Sequence, residues 1–385
     1  MDQVQRRFPH VRVLRHEQRQ GTSPAKDLGA RKARAATLIF ADGHTRPERG
    51  AVRRLVESVE ALEGRAVLTP TITGLDERRW RSTPSQIGHG YFLDLESFHC
   101  GWLPLGELRA VREGARQFYE SPAAIGCVLA VDRQLYEDLW GLDLHMRFWG
   151  VEDLDFSLKC WLMGFRVLHD AEAVVAHRFR RRFESFDVPL EHFVANQLRM
   201  ARKNFTQGVW NEWVDRCRQR HSGRLAEHPE GLWARIWQVF QELRPSVEEE
   251  RAHLAGQRVR DEFWYAERFG LRWPRECRSR WRPRRRVSRR WPSRAPARRP
   301  WNRNPKTRMS PARKTRMHAA RGTTGRRVFP VSQRARAPKK KAAATTMPAK
   351  DPFAISTANS SSVSPIFRPA ASGGCCSTAA STATA

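Results

Sequence analysis

The chain has 385 residues and carries 70 Lys and Arg against 40 Asp and Glu, a formal net charge of +30. The charge is unevenly spread, because residues 275–385 hold 28 bases and two acids, which leaves 42 bases and 38 acids, a net of +4, in residues 1–274. The positive charge could therefore attract nucleic acid to the final segment, but it gives no reason to expect nucleic-acid binding by residues 1–274.

The cysteines number seven, an odd count, and none forms a C-x-x-C pair. This pattern fits neither a disulfide framework nor a zinc site, so we expect reduced thiols and a cytoplasmic protein. No run approaches the ~20 apolar residues that a membrane helix needs, and the first ten residues lack the apolar core of a signal peptide. The sequence therefore predicts a soluble chain without a transmembrane segment.

Short apolar runs alternate with helical patterns over the first part of the chain. Strands are predicted at residues 11–14, 37–41 and 65–73, and helices at residues 23–36 and 47–62. Ser23 is a candidate N-cap, followed by Pro24 at the first helical position. The uniformly apolar run at 37–41, TLIFA, predicts a buried strand. This alternation predicts an α/β fold with a mostly parallel sheet.

The second part of the chain begins with residues 74–120, which lack periodicity and predict long loops over one end of the sheet. After them we predict a strand at 125–131, helices at 132–141 and 152–163, two short strands within 165–179 and mostly amphipathic helix over 187–270. The acid-poor, aperiodic sequence after Pro274 predicts a disordered basic tail. That tail is either a solvated or misread C-terminal end, or an arm that binds RNA or another anionic partner.

The segment Asp42-Gly43-His44 follows directly on the apolar run at 37–41. Asp-Gly is a common hairpin signal, so a turn explains the segment on its own. The alternative is a metal site, because side chains two residues apart at a strand end can point the same way and share one ion. A carboxylate oxygen with an imidazole nitrogen suits Mn²⁺ better than Ca²⁺, and α/β sheets bind ligands at such strand ends.

A second polar cluster lies in FWGVEDLDF, residues 148–156. Glu152 and Asp153 fall in the first turn of a predicted helix, where carboxylates interact favourably with the helix dipole. That explanation accounts for one carboxylate, but not for the occurrence of Trp149, Gly150 and two carboxylates in the same short segment. An indole beside an acid is expected where a sugar ring stacks on the indole and its hydroxyls bond the carboxylate.

His177 ends an apolar strand in VVAHRFR, and a single histidine at such a place is more often structural than a ligand. Four arginines follow it closely, at positions 178, 180, 181 and 182. They either form a solvated face or neutralise a diphosphate, an anion that guanidinium groups bind in bidentate geometry.

Taken in order, these clusters resemble the glycosyltransferases of A-type fold, in particular the family-two and polypeptide N-acetylgalactosaminyltransferase-like branch. FADGH and AHRFR resemble that branch's Asp-x-His strand end and its distant GHxFR, and WGVED resembles its WGGEN. RQGTSPAKDLGARKA resembles its REGLxRARxxGAxxA, SPAAIGCVLAVDRQLYEDLWGLDLHMRFWG resembles its SP…GGLFAIDRxYFxELGGYDxGMxxWG, and NQLRMARKNF resembles its NxxRxAEVW. The resemblance spans residues 11–205.

The resemblance implies a partial Rossmann-like nucleotide-diphospho-sugar transferase fold, followed by helices and the basic tail. It implies a divalent metal, Mn²⁺ or another ion, held by Asp42, His44 and His177. The implied reaction moves a sugar from a nucleoside-diphosphate sugar, expected to be a UDP-sugar, to a hydroxyl acceptor on a glycan, a polypeptide or a small molecule. A metal acting as a Lewis acid on the leaving diphosphate fits this chemistry.

The remaining site residues follow from the same resemblance. Trp149 and Gly150 would line the acceptor and sugar pocket, and Arg180 would bind the substrate near its diphosphate. Asp153 stands where the branch has Asn, which is the place of the general base in inverting relatives, and Glu152 would orient a sugar. In a retaining enzyme, Asp153 would bind sugar hydroxyls instead.

The resemblance also predicts a domain organisation. Residues 1–205 would form the glycosyltransferase domain, 206–274 a helical extension and 275–385 the tail. The family's opening strand–helix–strand unit has no counterpart here, so the domain is expected to lack the N-terminal nucleotide-binding strands. A truncated, non-catalytic interaction protein is therefore the alternative to an enzyme.

Overall fold

The computed structural model describes residues 2–95, 100–179, 188–222 and 231–272. Within these ranges the strands are β1 (Thr37–Ala41), β2 (Thr45–Pro47), β3 (Ala66–Asp76), β4 (Arg81–Gly88), β5 (Gly90–Leu93), β6 (Cys100–Leu103), β7 (Arg109–Glu113), β8 (Arg116–Glu120), β9 (Val128–Asp132) and β10 (Arg166–His177). The helices are α1 (Asp2–Arg7), α2 (Thr22–Lys32), α3 (Ala51–Ala61), α4 (Arg133–Asp138), α5 (Glu152–Leu162), α6 (Leu190–Asn204), α7 (Gln207–Ser222), α8 (Leu232–Glu242), α9 (Arg244–Ala255) and α10 (Glu262–Arg268). The predicted disordered tail, 275–385, lies outside the described residues.

Eight of these strands form one sheet with the order β1-β9-β3-β10-β8-β7, to which β2 adds beside β10 and β4 beside β3. Only β3 and β10 run parallel to each other, and the other pairs in the described sheet are antiparallel. The predicted mostly parallel sheet is therefore wrong for this part of the chain. An apolar run such as 37–41 indicates that a strand is buried, but it carries no information about direction.

Helix α3 covers the centre of this sheet and packs against β3, β9 and β10. Leu55 and Val59, one turn apart, are almost fully buried, whereas Val52, three residues before Leu55, is 47% exposed. The helix begins at Ala51 and not at Pro47, because the residues up to Pro47 pair with β10. Gly50, with a φ of 86°, then turns the chain into the helix.

Several predicted boundaries change in the structure. Residues 11–14 form no strand, and residues 74–120 are not irregular loops but contain β4 to β8. The hairpin of β5 and β6 is held by an edge-to-face contact of Tyr91 with Trp102, at 5.4 Å between ring centroids. The two short strands predicted near His177 are one strand, β10, whose pairing with β3 shifts between Asp170 and Val174.

Helices α6, α8 and α9 pack against one another, and α6 also contacts α5. Six charged residues meet between these helices, each at most 6% exposed: Asp143, Asp155, Lys159, Arg199, Lys203 and Glu250. We call them the buried charge network. Its three acids and three bases balance, and its central ammonium, Lys203 Nζ, lies 2.7 Å from Asp143 Oδ2 and 2.8 Å from Asp155 Oδ2. Such pairing is what makes buried charges tolerable.

The four described cysteines, Cys100, Cys127, Cys160 and Cys217, are free thiols. Burial raises the pKa of Cys100 and of Cys217 to about 12, so both stay protonated near neutral pH. Among the helices that the structure describes, none combines the length and apolar character that a bilayer crossing requires.

Candidate active site

Asp42, His44 and His177 meet where strands β1 and β10 end, at the same end of the sheet. Asp42 directly follows β1, and the backbone N–H of Arg178, next to His177, donates to the His44 carbonyl oxygen at 3.1 Å. One potential ligand atom from each of the three side chains lies within 4.8 Å of the other two. The strand pairing of Thr45 with His177 explains this closeness, because it brings β2 and the end of β10 side by side.

The three side chains fit a divalent transition metal. Asp42 Oδ2 lies 3.9 Å from His44 Nε2 and 3.7 Å from His177 Nε2, distances longer than hydrogen bonds. The other ring nitrogen of His177, Nδ1, is buried and has no hydrogen-bond partner among the described residues. One carboxylate with two imidazoles is a donor set that suits Mn²⁺ and similar ions.

The Asp42 carboxylate is held in its ionised form. Burial alone would raise its pKa, but His177 and the ammonium of Lys26 outweigh that effect and lower the pKa of Asp42 below its usual value. A carboxylate that is ionised and partly buried is the state that binds a cation, because only the charged oxygen donates strongly to a metal.

Lys26 is a site residue that the sequence analysis did not propose. Its Nζ lies 3.3 Å from Asp42 Oδ1 and 3.7 Å from Glu152 Oε1, and it donates to the Gly126 carbonyl oxygen at 2.7 Å. Burial alone would lower the pKa of Lys26, but Glu152, Asp42 and Asp153 raise it above its usual value. One sequence signal did point to Lys26: its position in TSPAKDL corresponds to a basic residue in the glycosyltransferase motif REGLxRARxxGAxxA.

Glu152 and Asp153 begin helix α5, as predicted, and both lie at the site. The Asp153 carboxylate accepts hydrogen bonds from the backbone N–H of Gly126 at 2.8 Å and of Leu154 at 2.9 Å. Burial and the neighbouring Glu152 raise the pKa of Asp153 to about 7, against the smaller opposing effect of these amides. A carboxyl group with such a pKa can exchange a proton near neutral pH.

Trp149 and Gly150 lie in the loop before α5. The half-buried indole of Trp149 stacks on Phe193 of α6, with an interplanar angle of 13°. Gly150 has a φ of 111°, and a Cβ there would lie 2.5 Å from the Phe193 ring, so only glycine fits. The next residue, Val151, has a φ of 60° although it is β-branched, which is a strained conformation.

Arg180, the predicted substrate-binding arginine, lies outside the described residues. The last described residues of this segment are Arg178 and Phe179. Phe179 contacts the His177 imidazole edge to face, at 4.7 Å between ring centroids.

Of the eight predicted site residues, the structure brings together Asp42, His44, His177, Glu152 and Asp153, and places Trp149 and Gly150 in the adjoining loop.

The loop before α5 is held against the start of α2. Gly21 pairs with Phe148, and the backbone N–H groups of Thr22 and Phe148 donate across this pair at 3.0 and 3.1 Å. Gly21, with a φ of 113°, stands at the N-cap position where Ser23 was predicted. The Ser23 hydroxyl instead donates to the carbonyl oxygen of Asp143, at 2.6 Å.

Replacing Gly21 by alanine is expected to destabilise the protein by about 2–3 kcal/mol. A Cβ at Gly21 would lie 2.4 Å from the backbone of Phe148, and the positive φ adds strain. The matched control is Gly29→Ala in α2, where a Cβ meets no heavy atom within 4 Å and should stabilise by about 0.5–1 kcal/mol. Urea unfolding of both variants checks the prediction, and equal midpoints would contradict it.

Two family models match the chain. "Glycosyl transferase family 2" matches residues 1–140, and "N-terminal domain of galactosyltransferase" matches residues 107–181. Polypeptide N-acetylgalactosaminyltransferase 3 of Homo sapiens is 28% identical over 208 residues, which are 52% of this chain and 32% of that protein. Inactive polypeptide N-acetylgalactosaminyltransferase-like protein 5 of Macaca fascicularis is 25% identical over 191 residues, 50% of this chain and 43% of that protein.

A solved structure of GalNAc-T7 with UDP, GalNAc and Mn²⁺ shares the fold, with a TM-score of 0.50 and 20% sequence identity. The match covers 70% of this chain and 47% of that one. The chain thus spans about a third to under a half of the length of these relatives. The predicted A-type fold is confirmed. Residues 1–181 thus resemble glycosyltransferases through the two family models, the chain shares the A-type fold, and polypeptide N-acetylgalactosaminyltransferases are among the proteins similar to it.

Proposed function

We propose that the chain is a glycosyltransferase that moves a sugar from a nucleoside-diphosphate sugar, most simply a UDP-sugar, to a hydroxyl acceptor with the help of a divalent metal. The observation that carries the proposal is the meeting of Asp42, His44 and His177 at one end of the sheet. The similar GalNAc-T7 structure was solved with UDP, GalNAc and Mn²⁺, which supports the same ligand class here.

The proposed metal residues would hold Mn²⁺ or another divalent ion through one ionised carboxylate and two imidazole nitrogens. When bound, such an ion neutralises the negative charge that develops on a diphosphate leaving group. Lys26 adds a second positive charge beside Asp42, which supports binding of an anionic donor at the same place. Arg180 stays a predicted substrate-binding residue outside the described part of the chain.

Asp153 is the proposed general base. In its ionised form the carboxylate takes the proton of the acceptor hydroxyl while that oxygen bonds to the sugar carbon and the diphosphate departs. Glu152, 3.7 Å from the Lys26 ammonium, is proposed to orient a sugar hydroxyl. The stacked Trp149 and Phe193 support a sugar pocket at the loop before α5. A retaining outcome, in which Asp153 binds sugar hydroxyls, is the alternative within this proposal.

Metal binding tests the proposal without relying on turnover. Titration of the full chain with Mn²⁺ should raise its melting temperature. His177→Ala should weaken Mn²⁺ binding by about tenfold to a hundredfold, because one ligand is lost. The matched control is His10→Ala, at an exposed position remote in sequence from the three proposed ligands. Equal Mn²⁺ affinity in both variants would contradict the assignment of the ligands.

Turnover is tested in parallel with UDP-GalNAc, UDP-GlcNAc and UDP-glucose. Release of UDP that requires Mn²⁺ and stops with a chelator would support the enzyme, whereas Mn²⁺ binding without UDP release from any donor would favour a second candidate. That candidate is a non-catalytic interaction protein, and it is favoured by the likeness to a relative that is named inactive.

The predicted domain bounds, 1–205, 206–274 and 275–385, and the anionic partner of the tail remain part of this proposal. The buried charge network joins α5 to α6 and α9, so the residues after 205 are proposed to stabilise the transferase domain directly. The donor sugar, expected as a UDP-sugar, and the acceptor class are proposed on the likeness to the polypeptide N-acetylgalactosaminyltransferases.

A further inference from the structure

The turn between β3 and β4 presents an unusual surface, and we call residues 76–81 the β3–β4 tip. Asp76 pairs with Arg81 across the hairpin, and its Oδ1 accepts the backbone N–H groups of Arg78 at 2.9 Å and Arg79 at 3.2 Å. These bonds fix the backbone of the turn, so the side chains of the tip project from a defined scaffold.

Trp80 is the most unexpected residue of this tip. Its side chain contributes little to the core, since the residue is 48% exposed. Its φ of 50° lies in the left-handed region, which a bulky aromatic residue rarely adopts and which costs conformational energy. Short hairpin loops such as residues 77–80 use left-handed residues, but the turn does not require an indole at this place. A half-exposed aromatic ring among arginines that are unpaired within the described residues is a feature from which a binding role is inferred.

The tip is also positively charged. Residues 76–81 and Arg178 together contain four arginines and two carboxylates, a net charge of +2. The Glu77 carboxylate forms an ion pair with Arg178, at 2.5 Å between Oε1 and Nε. Within the residues that the structure describes, the exposed side chains of Arg78, Arg79 and Arg81 show no ion pair or hydrogen bond. Their guanidinium groups are therefore available to an anion from outside.

The β3–β4 tip is connected to the candidate active site through Arg178. His177, a proposed metal ligand, pairs with Gly74 of β3, two residues before the tip begins. Arg178 then donates its backbone N–H to the His44 carbonyl oxygen while its side chain reaches Glu77. The same arginine thus touches both the metal cluster and the tip, which puts the tip at the rim of the site.

We propose that the β3–β4 tip binds the acceptor, and that this acceptor is an acidic oligosaccharide carrying carboxylate, sulfate or phosphate groups. The inference rests on the proposed glycosyltransferase function. The Trp80 indole offers a flat apolar face for a sugar ring, and the arginines offer bidentate donors for the acidic groups. A neutral glycan would use the indole but leave the arginines without partners.

The test reports on Trp80 itself, so that binding by the basic tail does not obscure the result. The full chain is labelled with 5-fluorotryptophan, and the ¹⁹F resonance of Trp80 is assigned as the one missing from Trp80→Phe. Hexagalacturonic acid is expected to shift this resonance, and neutral maltohexaose is not. In Arg78→Ala/Arg79→Ala the dissociation constant read from that resonance should rise at least about tenfold, because hydrogen bonds to two charged groups are lost. The matched control, Val52→Ala/Arg53→Ala, removes an exposed apolar residue and an exposed arginine from α3 and should change nothing.

Three results would overturn the proposal. The first is an unshifted Trp80 resonance with hexagalacturonic acid, and the second is an equal shift with maltohexaose. The third is a tighter response to vesicles of phosphatidylglycerol or to oligothymidylate, which would assign the tip to a membrane or to nucleic acid. Because this measurement needs neither metal nor donor, it can fail while Mn²⁺-dependent UDP release succeeds, and the reverse also holds.

Discussion

Lys203→Met is expected to lower the free energy of unfolding by about 3–5 kcal/mol, because it removes one partner from a buried group of charges. Lys203 Nζ contacts Asp143, Asp155 and, at 3.5 Å, Glu250, and these three carboxylates are almost completely shielded from water. Burial alone would raise the pKa of Asp143, but Arg199 and Lys203 hold it well below its usual value. Without Lys203, that compensation is partly lost.

Guanidinium unfolding followed by circular dichroism measures this effect. The matched control is Arg216→Met on α7, whose ion pair with Glu212 is about a third exposed on each side and should be worth about 0–1 kcal/mol. If both variants unfolded at the same denaturant concentration, the buried charge network would not contribute to stability as proposed.

Asp153→Asn is expected to lower kcat by about 10²–10⁴-fold, the usual contribution of a general base. Asparagine keeps the size of the side chain but cannot take the acceptor proton. Steady-state turnover of the donor with a hydroxyl acceptor measures the loss, and Asp215→Asn, on the exposed side of α7, is the control. A variant with wild-type kcat would exclude Asp153 as the base and favour a sugar-binding role.

The pH dependence of the wild type gives a second readout for the same residue. Burial and Glu152 raise the pKa of Asp153 to about 7. Since the base acts only when ionised, kcat should increase with pH through this range and level off above it. Asp153→Asn should lose that rise, whereas the control Asp215→Asn should keep it. A wild-type kcat that falls as the pH rises through 7 would assign Asp153 the role of an acid.

The sequence predicted the candidate site better than the sheet that carries it. Asp42 and His44 could be paired by their spacing after an apolar run, and the resemblance to the glycosyltransferases joined His177 to them. The direction of the strands could not be read in the same way. A buried strand shows the same apolar letters whichever way its neighbours run, so the antiparallel pairing of β1 with β9 was not predicted.

The residues that sequence reasoning missed share a different property. Lys26 and Lys203 read as ordinary helix-surface lysines, because their partners are far away in the chain: Asp42 and Glu152 for one, Asp143, Asp155 and Glu250 for the other. Charge pairing over such separations leaves no periodic pattern. The three-dimensional arrangement identifies Lys203 as part of the support of the site, whereas for Lys26 the family motif offered a signal that the arrangement then explains.

Val151 has a consequence for how likeness to other proteins is measured. It occupies the second glycine position of the WGGEN-like segment, and its backbone keeps the left-handed φ of 60° that glycine adopts without strain. Neighbouring contacts, such as Phe148 with Gly21 and Gly150 with Phe193, hold that conformation in place. An alignment therefore counts a mismatch at 151 although the valine has a backbone conformation that glycine could adopt unchanged. A valine in place of glycine at this position is consequently no evidence for a different loop conformation.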